Sequence, residues 1–199
     1  EIGLKSFIIY LHDYGSPIGL RLCVNHPEKI AGIIVQNGNA YQEGIGPQWN
    51  ETIDFWHNPT PEKKEKVYAF MSAEGVKNQY TDGLPEELLP TVSPELWILD
   101  WEQMKRPGNI DAQFVLNCDY EDNFSMFPIF QEYFRTHQPP ALVIWGKYDI
   151  FFSIEEASCY KRDLPAAQVH IIDGGHWALE TNFEEVSGLI DDFLTGQVK

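Results

Sequence analysis

The sequence predicts an α/β fold, a mostly parallel, doubly wound sheet interrupted by a helical insertion. Three observations predict it. Apolar runs at 7–11, 31–35 and 141–145, and a short strand pattern at 169–172, each stop at turn-forming residues, and runs with little polar alternation suit strands buried on both faces of a parallel sheet. The first two runs enclose a helical pattern at the spacing of a βαβ unit, which pairs its strands in parallel. Residues 39–138 carry no buried-strand pattern but many Trp, Tyr and Pro residues.

The 199 residues, 43% hydrophobic and 14% aromatic, suffice for one well-buried domain carrying a smaller insertion. A formal charge of −16 argues against nucleic acid or an anionic membrane surface as partner, because both attract clustered Lys and Arg. The expected partner is a small-molecule substrate, and a homodimer is left open. Cys23, Cys118 and Cys159 are scattered, odd in number and without metal-ligand spacing, which predicts a reducing, cytoplasmic setting with no disulfide or zinc site. No signal-peptide or membrane-span pattern is read.

The first run leads into His12-Asp13-Tyr14-Gly15-Ser16-Pro17. Gly15 is expected to take the strained dihedrals of a sharp strand-to-helix turn, and Gly19 to let the following helix lie close to the sheet. That helix offers Ile18, Leu22 and Ile30 with Gly19 and Cys23 as its apolar face and ends at Asn25-His26-Pro27-Glu28. A second strand follows within 31–38, ending in Gln36-Asn37-Gly38. Helices are expected at 62–73 behind Pro61, at 94–105 and at 127–136. The insertion should lie over the sheet's carboxyl edge, its aromatics divided between a small core of its own and the lining of a pocket.

The α/β rhythm then resumes. The strand at 141–145 ends in Gly146-Lys147-Tyr148-Asp149; a helix at 153–162 is expected to be capped by Ser153, with Glu155 and Glu156 in its first turn. The strand at 169–172 ends in Asp173-Gly174-Gly175-His176, and an amphipathic helix at 183–194 follows. The chain divides into a first core part (1–38), a helical cap (39–138) and a second core part (139–199).

Asp13, Asp149 and His176 each follow the carboxyl end of an expected parallel strand, and that edge is where open α/β sheets bind ligands. Singly, each acid also reads as a helix cap and the histidine as a core residue. Parallel strands bring all three ends to one edge, so the residues can converge although distant in sequence.

Through His12-Asp13-Tyr14-Gly15-Ser16-Pro17, Trp145-Gly146-Lys147-Tyr148-Asp149 and Gly174-Gly175-His176-Trp177, the sequence resembles the α/β-hydrolases. Within them it is similar to the branch with an aspartate nucleophile, the epoxide hydrolases and haloalkane dehalogenases. The order nucleophile, acid, histidine is the fold's usual one; Leu11 departs from the small residue of the Gly-x-nucleophile-x-Gly elbow. The resemblance implies an α/β-hydrolase fold with a helical cap in a partial chain, because members carry several strands and a His-Gly loop before the elbow. It implies Asp13 as nucleophile, Asp149 as orienting acid, His176 as general base and the Tyr14 N–H as an oxyanion donor, without metal or organic cofactor.

A carboxylate attacking an ester would form a reactive anhydride, whereas displacement at saturated carbon gives an alkyl ester that a second step can hydrolyse. The expected substrate is thus a small or medium apolar epoxide or alkyl halide. Halide binding in this branch commonly uses an indole after the nucleophile; Tyr14 stands there, which favours hydrolysis of an epoxide to a diol. Residues 116–123 resemble the end-of-cap segment in which epoxide hydrolases place a ring-opening tyrosine, making Tyr120 the candidate acid, although Glu121 stands where an arginine often follows. Tyr80 and Tyr41 are both open as a second tyrosine, and Trp49, Trp56 and Tyr80 are expected to line the pocket. Indoles at Trp49, Trp56, Trp97 and Trp101 keep a haloalkane or haloacid dehalogenase as the alternative. A non-catalytic ligand-binding relative is the alternative from another class.

Overall fold

In a computed structural model, which describes residues 3–197, the four apolar runs become β1 (Phe7–Leu11), β2 (Ile30–Gln36), β3 (Ala141–Gly146) and β4 (Gln168–Ile172). Helix α1 (Gly15–Asn25) joins β1 to β2. Six helices separate β2 from β3: α2 (Asn50–His57), α3 (Pro61–Ala69), α4 (Ala73–Thr81), α5 (Pro94–Met104), α6 (Asn109–Asp119) and α7 (Glu121–His137). Helix α8 (Glu155–Asp163) precedes β4, and α9 (Ala178–Thr181) and α10 (Phe183–Gln197) follow it. The strands lie in the order β1-β2-β3-β4 and every neighbouring pair is parallel.

Alternation along the strands divides the interior into two layers. Ile33, Val35, Val143 and Trp145 pack with Leu20 and Cys23 of α1, Phe127, Phe130 and Phe134 of α7, and Ala157 and Tyr160 of α8. Ile34, Leu142, Ile144 and Ile172 pack on the other side with Ala178, Val186 and Phe193 of α9 and α10. The sheet is therefore covered on both faces, as its continuous apolar runs require. Among the described residues, no helix is long and apolar enough to cross a membrane.

Several local expectations change. The helix expected at 62–73 breaks in two because Ser72 caps a new one, its Oγ accepting the Gly75 N–H at 3.0 Å. Helix α7 begins at Glu121, earlier than expected, and carries Pro128 within it. Ser153 does not cap α8 with its side chain. Glu156 is not a solvated first-turn acid: it is fully buried, and its carboxylate accepts the Ala40 and Tyr41 N–H groups and the Asn39 amide.

Helix α1 buries Gly19 and Cys23 of the face expected but not Ile18 and Leu22, and Ile30 belongs to β2. A Cβ on Gly19 would collide with the Leu11 side chain, so this glycine seats the helix on the sheet and turns Leu20 and Cys23 inward. Residues advance about 100° per step around a helix. Ile18 and Leu22, which share one edge, consequently face outward at 69% and 39% exposure.

Candidate active site

The site begins where β1 runs out. Asp13, not Gly15, takes the left-handed conformation of the turn, at φ 44°, a strain of order 1–3 kcal/mol for a non-glycine residue. It is pinned by the Asp13 N–H donating to the Asn37 carbonyl at 3.3 Å and by the Ser16 N–H donating to the Asp13 carbonyl at 2.9 Å. This geometry lifts the Asp13 side chain, 26% exposed, off the sheet edge. The Tyr14 backbone lies beside the Asp13 carboxyl and helps to keep it ionised.

The three expected residues converge. His176, 4% exposed, places Nδ1 2.9 Å from Asp149 Oδ2 and Nε2 3.7 Å from Asp13 Oδ2. Asp149 is held on both oxygens: Oδ1 accepts the Phe151 and Phe152 N–H groups at 2.7 and 3.1 Å, and Oδ2 accepts the Asn37 amide at 2.8 Å. A carboxylate with this many donors keeps its orientation and fixes the imidazole that bonds to it.

Burial pushes the Asp13 carboxyl up, but His176, His12 and the Tyr14 N–H outweigh it and hold the group below its ordinary range. Burial alone would lower His176; Asp149 and Asp13 together raise it well above an ordinary histidine. Burial and the neighbouring His176 lower His12, whose ring lies tilted against that of His176 with centroids 4.8 Å apart.

Two neighbours of the site escaped the sequence reading. Asn37 follows β2, also in a left-handed conformation at φ 45°, and its side-chain oxygen accepts the Gly146 N–H at 3.0 Å. Gln36 donates to the His176 carbonyl at 2.9 Å and to Asn37 Oδ1 at 3.0 Å. Both stand at the carboxyl end of a parallel strand, the signal that identified the other three, but as uncharged amides they suggested only a turn.

A pocket opens above Asp13, Tyr14 and His176, and Trp49, Met71 and Asn117 are among the cap residues that line it. The other residues singled out from the sequence lie elsewhere. Tyr120 is 1% exposed; its ring packs at 4.5 Å on Trp49 and 5.2 Å on Tyr14, and its hydroxyl approaches Asn39 Oδ1 at 3.4 Å. It stands behind the pocket wall because Tyr14 and Trp49 come between it and the cavity. Trp56 packs on Trp49 and Phe124, with its indole N–H buried and unpartnered. Tyr80 is drawn away by stacking on Trp177 at 5.0 Å and by donating to Asp100. Trp49 does line the pocket, but its N–H is committed to the Phe151 carbonyl at 3.1 Å.

The family model for the alpha/beta hydrolase fold matches residues 1–183. The yeast protein named uncharacterized hydrolase YNR064C (Saccharomyces cerevisiae) is 36% identical over 185 residues, covering 91% of this chain and 63% of the yeast protein. Mouse (Mus musculus) epoxide hydrolase 4 is 24% identical over 213 residues, covering 100% of this chain and 56% of the mouse protein. Among solved structures, the serine hydrolase CCSP0084 of Cycloclasticus zankles superposes with a TM-score of 0.69 at 16% identity, covering 99% of this chain and 66% of that one. The chain thus spans about two thirds or less of each. With its parallel sheet, its elbow and its matching model, the chain belongs to the α/β-hydrolase fold family.

Proposed function

We propose that this hydrolase opens an epoxide to a diol through an ester on Asp13. One observation carries the reading: His176 stands between Asp149 and Asp13 at the base of a pocket, the placement needed to form and then hydrolyse such an ester. The epoxide hydrolase 4 similarity supports it. In the first step an Asp13 oxygen bonds to a ring carbon while that carbon's bond to the epoxide oxygen breaks. The released alkoxide takes a proton from the Tyr14 phenol, which lines the pocket beside Asp13. Burial holds this phenol in its protonated form, and its position suits it to the donor role that the sequence suggested for Tyr120.

Esterification removes one of the two negative charges that raise His176, so the imidazolium gives up its proton, which restores Tyr14. His176 then takes a proton from water as the hydroxide adds to the ester carbonyl, the Tyr14 N–H holding the oxyanion. Collapse expels the second alkoxide of the diol, which takes the proton from the new carboxyl group; His176 keeps the water's proton, and the starting state returns. The committed indole of Trp49 and the absence of Trp56 from the lining favour this reading over dehalogenation, for which a free indole donor was the expectation.

Replacing His176 by Gln should stop the second step and trap the ester. Intact-mass analysis after incubation with terminal epoxides should show the added mass of one substrate, mapped to Asp13. No adduct with any epoxide or alkyl halide would remove the covalent mechanism and leave a ligand-binding relative.

A further inference from the structure

Helix α6 turns apolar side chains outward and polar ones toward the pocket. Val115 and Leu116 face outward at 55% and 49% exposure. Gln113 and Asn117, four residues apart and so on one helix face, line the pocket above Asp13 instead. Gln79 of α4 lines it too, as does Gln48 just before α2. A wall built to hold hydrocarbon alone would be apolar. The Asn117 side-chain oxygen is buried without a partner, and leaving such an acceptor unpaired costs free energy that a ligand donor would recover.

Position separates the roles of these amides. Gln79, Gln113 and Met104 also line a cleft that opens between α4, α5 and α6, which Asp13, Tyr14 and His176 do not reach. The two glutamines therefore mark the end of the pocket remote from the reacting carbon, while Asn117 stands by Tyr14. Among the described residues no Lys or Arg lines the pocket, and Asp13 is held as a carboxylate. A second anion would meet repulsion without a counter-charge.

We infer that Gln79 and Gln113 form a polar subsite for an uncharged hydrogen-bonding group, a primary amide or a hydroxyl, carried on the substrate beyond the carbon that Asp13 attacks. Each carboxamide donates and accepts, so the pair serves groups of either sense but offers a carboxylate no counter-charge. The substrate class becomes an apolar stem with a neutral polar end. The subsite rests on reading this pocket as the substrate pocket, and it is independent of whether Asp13 becomes alkylated.

Unreactive ligands test it without the chemistry. Hexanamide and its charged counterpart hexanoate are titrated by calorimetry into the unaltered chain and into the Gln79→Met, Gln113→Met and double variants. Methionine keeps side-chain length and helix propensity, and far-UV circular dichroism checks the fold. Hexanamide should bind at least about tenfold more tightly than hexanoate, and each substitution should weaken it by roughly three- to tenfold, the worth of one net hydrogen bond. Equal affinities for the two ligands, variants that bind hexanamide as the unaltered chain does, or no binding at all would overturn the subsite. An Asp13 adduct in His176→Gln without amide selectivity refutes the subsite and leaves the covalent reading; amide selectivity without an adduct does the reverse.

Discussion

At the scale of single residues, chemistry depends on how firmly Asp149 is aimed. Its Oδ2 accepts both His176 Nδ1 and the Asn37 amide, so in the proposed mechanism Asn37 positions the acid. Glycine suits the left-handed backbone at this position, and Asn37→Gly deletes the amide without adding strain. A hydrogen bond to a charged group is worth about 1.5–3 kcal/mol, so hydrolysis of the ester should slow by roughly tenfold or more. Alkylation, which does not need the base, should proceed, and ester should accumulate in rapid-quench mass spectrometry. Turnover equal to that of the unaltered chain would remove Asn37 from this role. Asp13, Asp149 and His176 were legible together because three titratable residues each follow a strand whose carboxyl end lies on one sheet edge. Asn37 was not, because an amide in a turn is ordinary.

At the scale of elements, Glu156 shows how α8 is tied to the path from sheet to cap. Its carboxylate gathers the Ala40 and Tyr41 N–H groups and the Asn39 amide, while burial outweighs those donors and raises its pKa to about 8. The folded protein thus holds this proton more tightly than the unfolded chain does. The stabilisation is complete below about pH 4.5, an ordinary glutamate value, and is lost as the pH rises through about 8. Thermal unfolding should show Tm falling across that window, and Glu156→Gln should flatten the fall; an unchanged slope would mean that Glu156 does not set it. The sequence placed Glu156 in the first turn of a helix but could not show that the turn faces inward. For the same reason it read α1 only in part: Gly19 and Cys23 face the sheet as expected, whereas the close seat of Gly19 on Leu11 turns Ile18 and Leu22 outward.

At the scale of the whole molecule, parallel strands alone suffice to bring residues 13, 149 and 176 together, which is why the site's floor could be read before any coordinates. The pocket's roof could not. Tyr120, Trp56 and Tyr80 depend on how six helices pack over the edge, and stacking with Tyr14, Trp49 and Trp177 decides which rings face the cavity. The two levels meet at Asp13, strained at the elbow and facing both His176 and the pocket. The most direct measurement of its role is a single turnover of a terminal epoxide in oxygen-18 water, with enzyme in excess. If the ester forms, water attacks its carbonyl, so the label should appear in the peptide containing Asp13 while the diol carries none. Label in the diol, with Asp13 unlabelled, would show that water attacks the epoxide directly and would contradict Asp13 as the nucleophile.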